Sequence, residues 1–300
     1  MRGSTPHIEP QAVSDVLRRE AASTIGLLTD EEDFTAMRQY RTFAFDNHTA
    51  YLQQVEDLLK TRAAQGGHTT VALFDPEEYA EFCAHGDLEP DAASSRSRFT
   101  AELAATGPAV LYEGQPLAEL IPELMDRAVR QATWEYASAA LAQLGACASC
   151  SEDIGRSAFA YASRVLTGIL DTASAGRRHL VCSVSAAPEP LVVVLHADEE
   201  PDDRTAVDEA DALEFATVLA LAIATRSPGV LVMRTTTSGQ DRVYGWRIRG
   251  GRLEPLTAGE VFDAYCTDAE SGNLISPESG VDYCAPPDLG DGGLTPSHTH

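Results

Sequence analysis

The stretch His179-Leu180-Val181-Cys182-Ser183-Val184, followed beyond Pro188 by Leu191-Val192-Val193-Val194-Leu195-His196, reads as two β-branched apolar runs on either side of a turn. That composition and length predict a β-hairpin. Upstream of it the apolar residues recur at helical period, and the change to strand period falls at Ala173-Ser174-Ala175-Gly176-Arg177-Arg178. The segment is therefore the expected boundary between an N-terminal domain, 1–175, and a C-terminal domain, 176–284.

Downstream of the hairpin comes the acidic run Asp198-Glu199-Glu200-Pro201-Asp202-Asp203, which lacks the glycine and alternation of a calcium loop and reads as a solvated loop. A nearly all-apolar segment, Leu213 to Thr225, predicts a buried helix. Val230–Thr235, Val243–Arg249 and Leu253–Leu256 predict strands joined by turns at Ser238-Gly239 and Gly250-Gly251. The expected C-terminal half is α+β, an antiparallel sheet with one buried helix. Residues 285–300 hold only Leu289 and Leu294 as large aliphatic groups and are expected to be a disordered tail.

Upstream, residues 1–10 read as a loose start. Thr29-Asp30-Glu31-Glu32 fits a capping box, and the stripe Phe34, Met37, Arg41, Ala44, His48, Tyr51, Val55, Leu58 predicts one long helix ended by Gly66-Gly67. Two short strands follow, Thr69–Phe74 and Ala109–Tyr112, each leading into a helix, at Pro76 and after Gly114. A further helix spans Arg98 to Thr106. This grammar predicts an α/β half, mostly helical, with a small parallel strand layer. The helix after Gly114 ends near Gly145, and a second begins at Ile154, so Cys147-Ala148-Ser149-Cys150 is placed at the tip of a helical hairpin.

The chain has 300 residues, is 44% hydrophobic and carries a formal charge of -24 shared by both halves. Such a charge argues against general affinity for nucleic acid or an anionic membrane, both of which attract cations. No run of 18 apolar residues and no apolar leader is present, so a cytoplasmic protein whose thiols stay reduced is expected. Lys60 is the only lysine, and Lys60 sits in neither a P-loop nor a kinase strand context. The preference for arginine fits a GC-rich bacterial genome.

Three groups of side chains could carry chemistry. Cys147 and Cys150 read as ordinary buried thiols at a helix turn, the alternatives being a redox pair or a shared tetrahedral zinc ion with His179 and Cys182 completing the ligand set, although residues three apart on a strand face opposite ways. Asp75, Glu77 and Glu78 follow one strand and Glu113 the other, so in a parallel layer they would meet at its carboxyl end as acid and base, with Arg96 or Arg98 orienting an anion. The plainer alternative for Asp75 is a helix cap. His48 lies on an apolar stripe, as a core histidine would, and His68, His85 and His196 have no partner ligand at a metal-binding spacing. HExxH, GxSxG and GxGxxG are all missing. The expected function is a regulatory, ligand-binding or protein-interaction module that works without a cofactor, its partner a protein or a small molecule. The alternatives are an acid-base or metal-assisted enzyme using the strand-end carboxylates, and an interaction protein pinned by zinc.

Overall fold

The computed structural model describes residues 23–172, 176–186, 189–199, 205–267, 271, 273–287 and 289. Among them the chain forms eight helices, one three-stranded sheet and one seven-stranded sheet, and it divides into two compact units, Met1–Gln131 and Ala132–His300.

In the first unit the strand order is β1 (Ser23–Leu27), β2 (Thr69–Leu73), β3 (Ala109–Leu111). β2 carries Val71 and Ala72 at zero exposure and is central. β1 lies parallel to it, but β3 pairs antiparallel, with Thr70 opposite Leu111 and Ala72 opposite Ala109. The two strands anticipated from sequence are thus not parallel to each other, and the parallel neighbour is β1, which sequence reading passed over. Helices α1 (Glu31–Met37), α2 (His48–Ala64), α3 (Pro76–His85), α4 (Ala93–Thr106) and the start of α5 (Leu117–Gln143) supply the rest of this unit.

The expected single helix over residues 29–65 is two helices. Asp30, not Thr29, caps α1, accepting from the Asp33 N–H at 2.8 Å, while the Thr29 hydroxyl donates to the Met125 sulfur at 3.5 Å. Asn47 starts α2 afresh by accepting from Ala50 N–H. The break between them follows from the apolar pattern. Phe34, Phe43, Phe45 and Tyr51 pack ring against ring with centroids 4.8–5.8 Å apart, and Arg41 and Ala44, which would have continued the stripe, lie outside that cluster.

In the second unit the sheet runs β10 (Val281–Tyr283), β8 (Gln240–Arg249), β7 (Gly229–Thr237), β4 (Arg177–Val184), β5 (Leu191–Glu199), β6 (Thr205–Val207), with β9 (Arg252–Pro255) paired to β8. All neighbours are antiparallel except β10 and β8. The predicted hairpin is β4–β5, with Val184 opposite Leu191 and His179 opposite His196. The inner face of the sheet buries Leu180, Cys182, Val193, Leu195, Leu231, Met233 and Trp246 against α6 (Ile154–Thr172), α7 (Glu209–Thr225) and the end of α5. Each such aliphatic group contributes roughly 1.5–3 kcal/mol by leaving water. α7 is buried along its length from Glu214 to Ile223, which explains its lack of a polar stripe.

Three expectations shift accordingly. The division falls inside α5 rather than at 174–178, because Ala137, Leu141 and the apolar face of α6 pack on the second core; residues 173–175 lie outside the described residues. Asp198 and Glu199 belong to β5, and residues 200–204 of the acidic run lie outside the described ones. Leu289 packs against the second core, so the ordered chain continues past 285; residues 290–300 and 1–10 also lie outside.

Candidate functional site

The strand-end carboxylates do not form one site. Because β3 is antiparallel to β2, Glu113 stands at the Thr69 end of the sheet and Asp75 at the opposite end. Asp75 is occupied as the cap of α3, its Oδ1 accepting from Glu77 N–H at 2.7 Å and Glu78 N–H at 3.1 Å. Glu113 is exposed and its own N–H donates to the Gln115 side chain. What does gather near Asp75 is Asp33, in the first turn of α1. Partial burial, then the charges of Asp30, Asp75, Glu32 and Glu77, raise the Asp33 carboxyl from 3.8 to about 6.

The arginines also separate. Arg96 donates to the Thr42 hydroxyl at 2.9 Å and so ties the loop between α1 and α2 to α4; Asp91 holds the same loop by accepting from Thr42 N–H at 2.9 Å and from Arg41 Nε at 3.2 Å. Arg98 is exposed on α4. His48 is satisfied as a core histidine, its Nε2 within 3.1 Å of the Leu28 carbonyl, and Tyr51, buried beside it, is pushed up to about 12.

Of the four residues considered as zinc ligands, His179 and Cys182 lie on opposite faces of one strand. Cys182 points into the second core at zero exposure, and burial raises its thiol to about 12. His179 is on the other face of the same strand, as strand alternation requires. Cys147 and Cys150 are half-buried in the α5–α6 turn, with Cys147 Sγ 3.0 Å from the Ser149 hydroxyl. Among the described residues no three His, Cys, Asp or Glu side chains are grouped to hold a metal ion.

The feature that these partial signals surround is the outer face of the second sheet. Alternation puts Val181 and Ser183 of β4, Val192, Val194 and His196 of β5, and Val230, Val232 and Arg234 of β7 on this face. In register, Val181 lies between Val194 and Val232, and Ser183 between Val192 and Val230. Val192 is 47% exposed, Val194 37% and Val230 38%, an apolar patch on contiguous strands. Further along the same face the chain covers itself: Leu256 and Val261, the latter from α8 (Ala258–Tyr265), pack on Val243 of β8, with Val232, Val281 and Tyr283 at the edge. Gly245 makes this cover possible, since a Cβ there would stand 3.0 Å from Leu256.

Three arginines bordering the valines are paired within the chain. Arg177 meets Asp198 at 3.2 Å, Arg247 meets Glu260 at 3.3 Å, and Arg234 meets Asp241 at 2.7 Å and Glu278 at 2.6 Å, contacts that raise its already high pKa. His179 and His196, opposite each other, bring their rings to a 4.4 Å centroid separation at 66°. Burial, then His196 and Arg234, lower the His179 pKa. Sequence reading missed this pair, although the hairpin it predicted, folded so that Val184 meets Leu191, already implies it.

A family described as a domain of unknown function (DUF8829) matches residues 12–115, which lie in the first unit and make up less than half of the chain. No curated protein and no solved structure matches the chain.

Proposed function

We propose that the chain is a protein-interaction module without a catalytic step of its own, and that it binds a second copy of itself through the outer face of β5, β4 and β7. The observation that carries this reading is the exposed Val192, Val194 and Val230 patch on a sheet face whose other part the chain already covers with apolar side chains. Contiguous exposed apolar surface of this kind marks an association site more often than scattered single residues do.

The choice of occupant rests on charge. With -24 per chain, two copies repel over most of their surface, so association is favoured where the local charges are neutralised internally. The valine face is such a place, because Arg177, Arg234 and Arg247 at its border are matched to Asp198, Asp241, Glu278 and Glu260. A face with paired charges and an apolar centre offers no handle to a strongly charged partner and is complementary to a like face, as an isologous contact requires.

The test is light scattering on the full chain and on the Val192→Asp/Val230→Asp variant. The wild type is expected at twice 32.1 kDa and the variant at 32.1 kDa with an unchanged far-ultraviolet circular dichroism spectrum, since both side chains lie on the surface of the single chain. Added salt should strengthen the wild-type association by screening the repulsion between copies. A wild type that stays at 32.1 kDa at all concentrations and salts would refute the reading.

A further inference from the structure

We propose that His179 and His196 form a two-imidazole site for a late first-row divalent metal ion on the outer face of the second sheet. The two residues are direct partners on antiparallel strands, on one face, with ring centroids 4.4 Å apart. Imidazole nitrogens bind such metals at about 2.0–2.1 Å, so two nitrogens sharing one ion lie ~3 Å apart. Rings with centroids at 4.4 Å reach that spacing by rotation about their side-chain bonds, with no movement of the strands.

The surroundings fit a ligand pair. His196 is exposed and His179 half-buried, so an ion can approach from solvent. Arg234 does not compete for the space, because its guanidinium is held by Asp241 and Glu278. Imidazole suits zinc, copper and nickel, and two protein ligands leave further coordination positions to water or to a group from a docked molecule. The pair differs from the cysteine-based set considered from sequence, in which Cys182 faces the opposite way. It does not depend on the docking reading, since both imidazoles come from one chain.

Calorimetric titration of Zn²⁺ into the full chain tests it, alongside His179→Gln, His196→Gln, Cys147→Ser/Cys150→Ser and His298→Gln/His300→Gln variants. A binding event at one ion per chain is expected in the wild type and in the last two variants, and is expected to be lost from each of the first two. In the metal-free state all variants should melt with the wild type, which separates loss of ligation from loss of fold. Survival of the event in either His179→Gln or His196→Gln, or its loss in Cys147→Ser/Cys150→Ser with both histidines intact, would overturn the assignment. Association measured by light scattering in metal-free buffer reads the docking face separately, so either idea can fail without the other.

Discussion

Asp33 shows how a single carboxyl reports its neighbourhood. It sits in the first turn of α1, where the helix dipole favours an anion, yet its pKa is raised to about 6 by burial and by four other acids. A carboxyl bound more tightly to its proton in the folded state than in the unfolded one makes stability fall as pH rises, here between about 4 and 6, and leaves it flat above. Asp33→Asn removes the penalty while keeping the N–H that Asp30 accepts. It should stabilise the protein near neutral pH by about 1 kcal/mol after allowance for solvent screening, and by almost nothing below pH ~4. Urea midpoints at the two pH values check this; equal midpoint shifts at both would count against the electrostatic cause. Sequence reading named Asp75 and Glu77 but not Asp33, because only the parallel pairing of β1 with β2 brings the starts of α1 and α3 together.

At the scale of elements, local chemistry was legible wherever it was decided locally. Pro76 after Asp75, the apolar run of α7 and the β4–β5 hairpin all lie where the residues put them. What sequence does not carry is direction: short strands bear no mark of whether a neighbour is parallel, so a parallel layer puts Glu113 beside Asp75, whereas it stands at the far end of the sheet. The α1–α2 break is hidden in the sequence for another reason: an aromatic cluster outweighs a helical stripe interrupted by Arg41. If Asn47 starts a separate helix, Asn47→Ala should cost ~1 kcal/mol, the loss of a cap, as read from the urea midpoint. A change within about 0.2 kcal/mol would instead fit a helix that continues through this position.

For the whole molecule, composition gave the sign of the field but not its gaps. The charge of -24 is legible in the chain, whereas the neutral valine face exists only once β5, β4 and β7 are in register. The placement of the domain border inside α5 has the same origin, since Ala137 and Leu141 reveal which core they join only when the sheet is present. The central claim is that this face is what a second copy covers. A dilution series on the full chain with labelled valine methyl groups tests it most directly. The account predicts that the signals of Val181, Val192, Val194, Val230 and Val232 shift together on dilution while those of Val55, Val71 and Val110, buried in the first unit, stay fixed. Signals from the outer face that do not move, or shifts confined to the first unit, would contradict it.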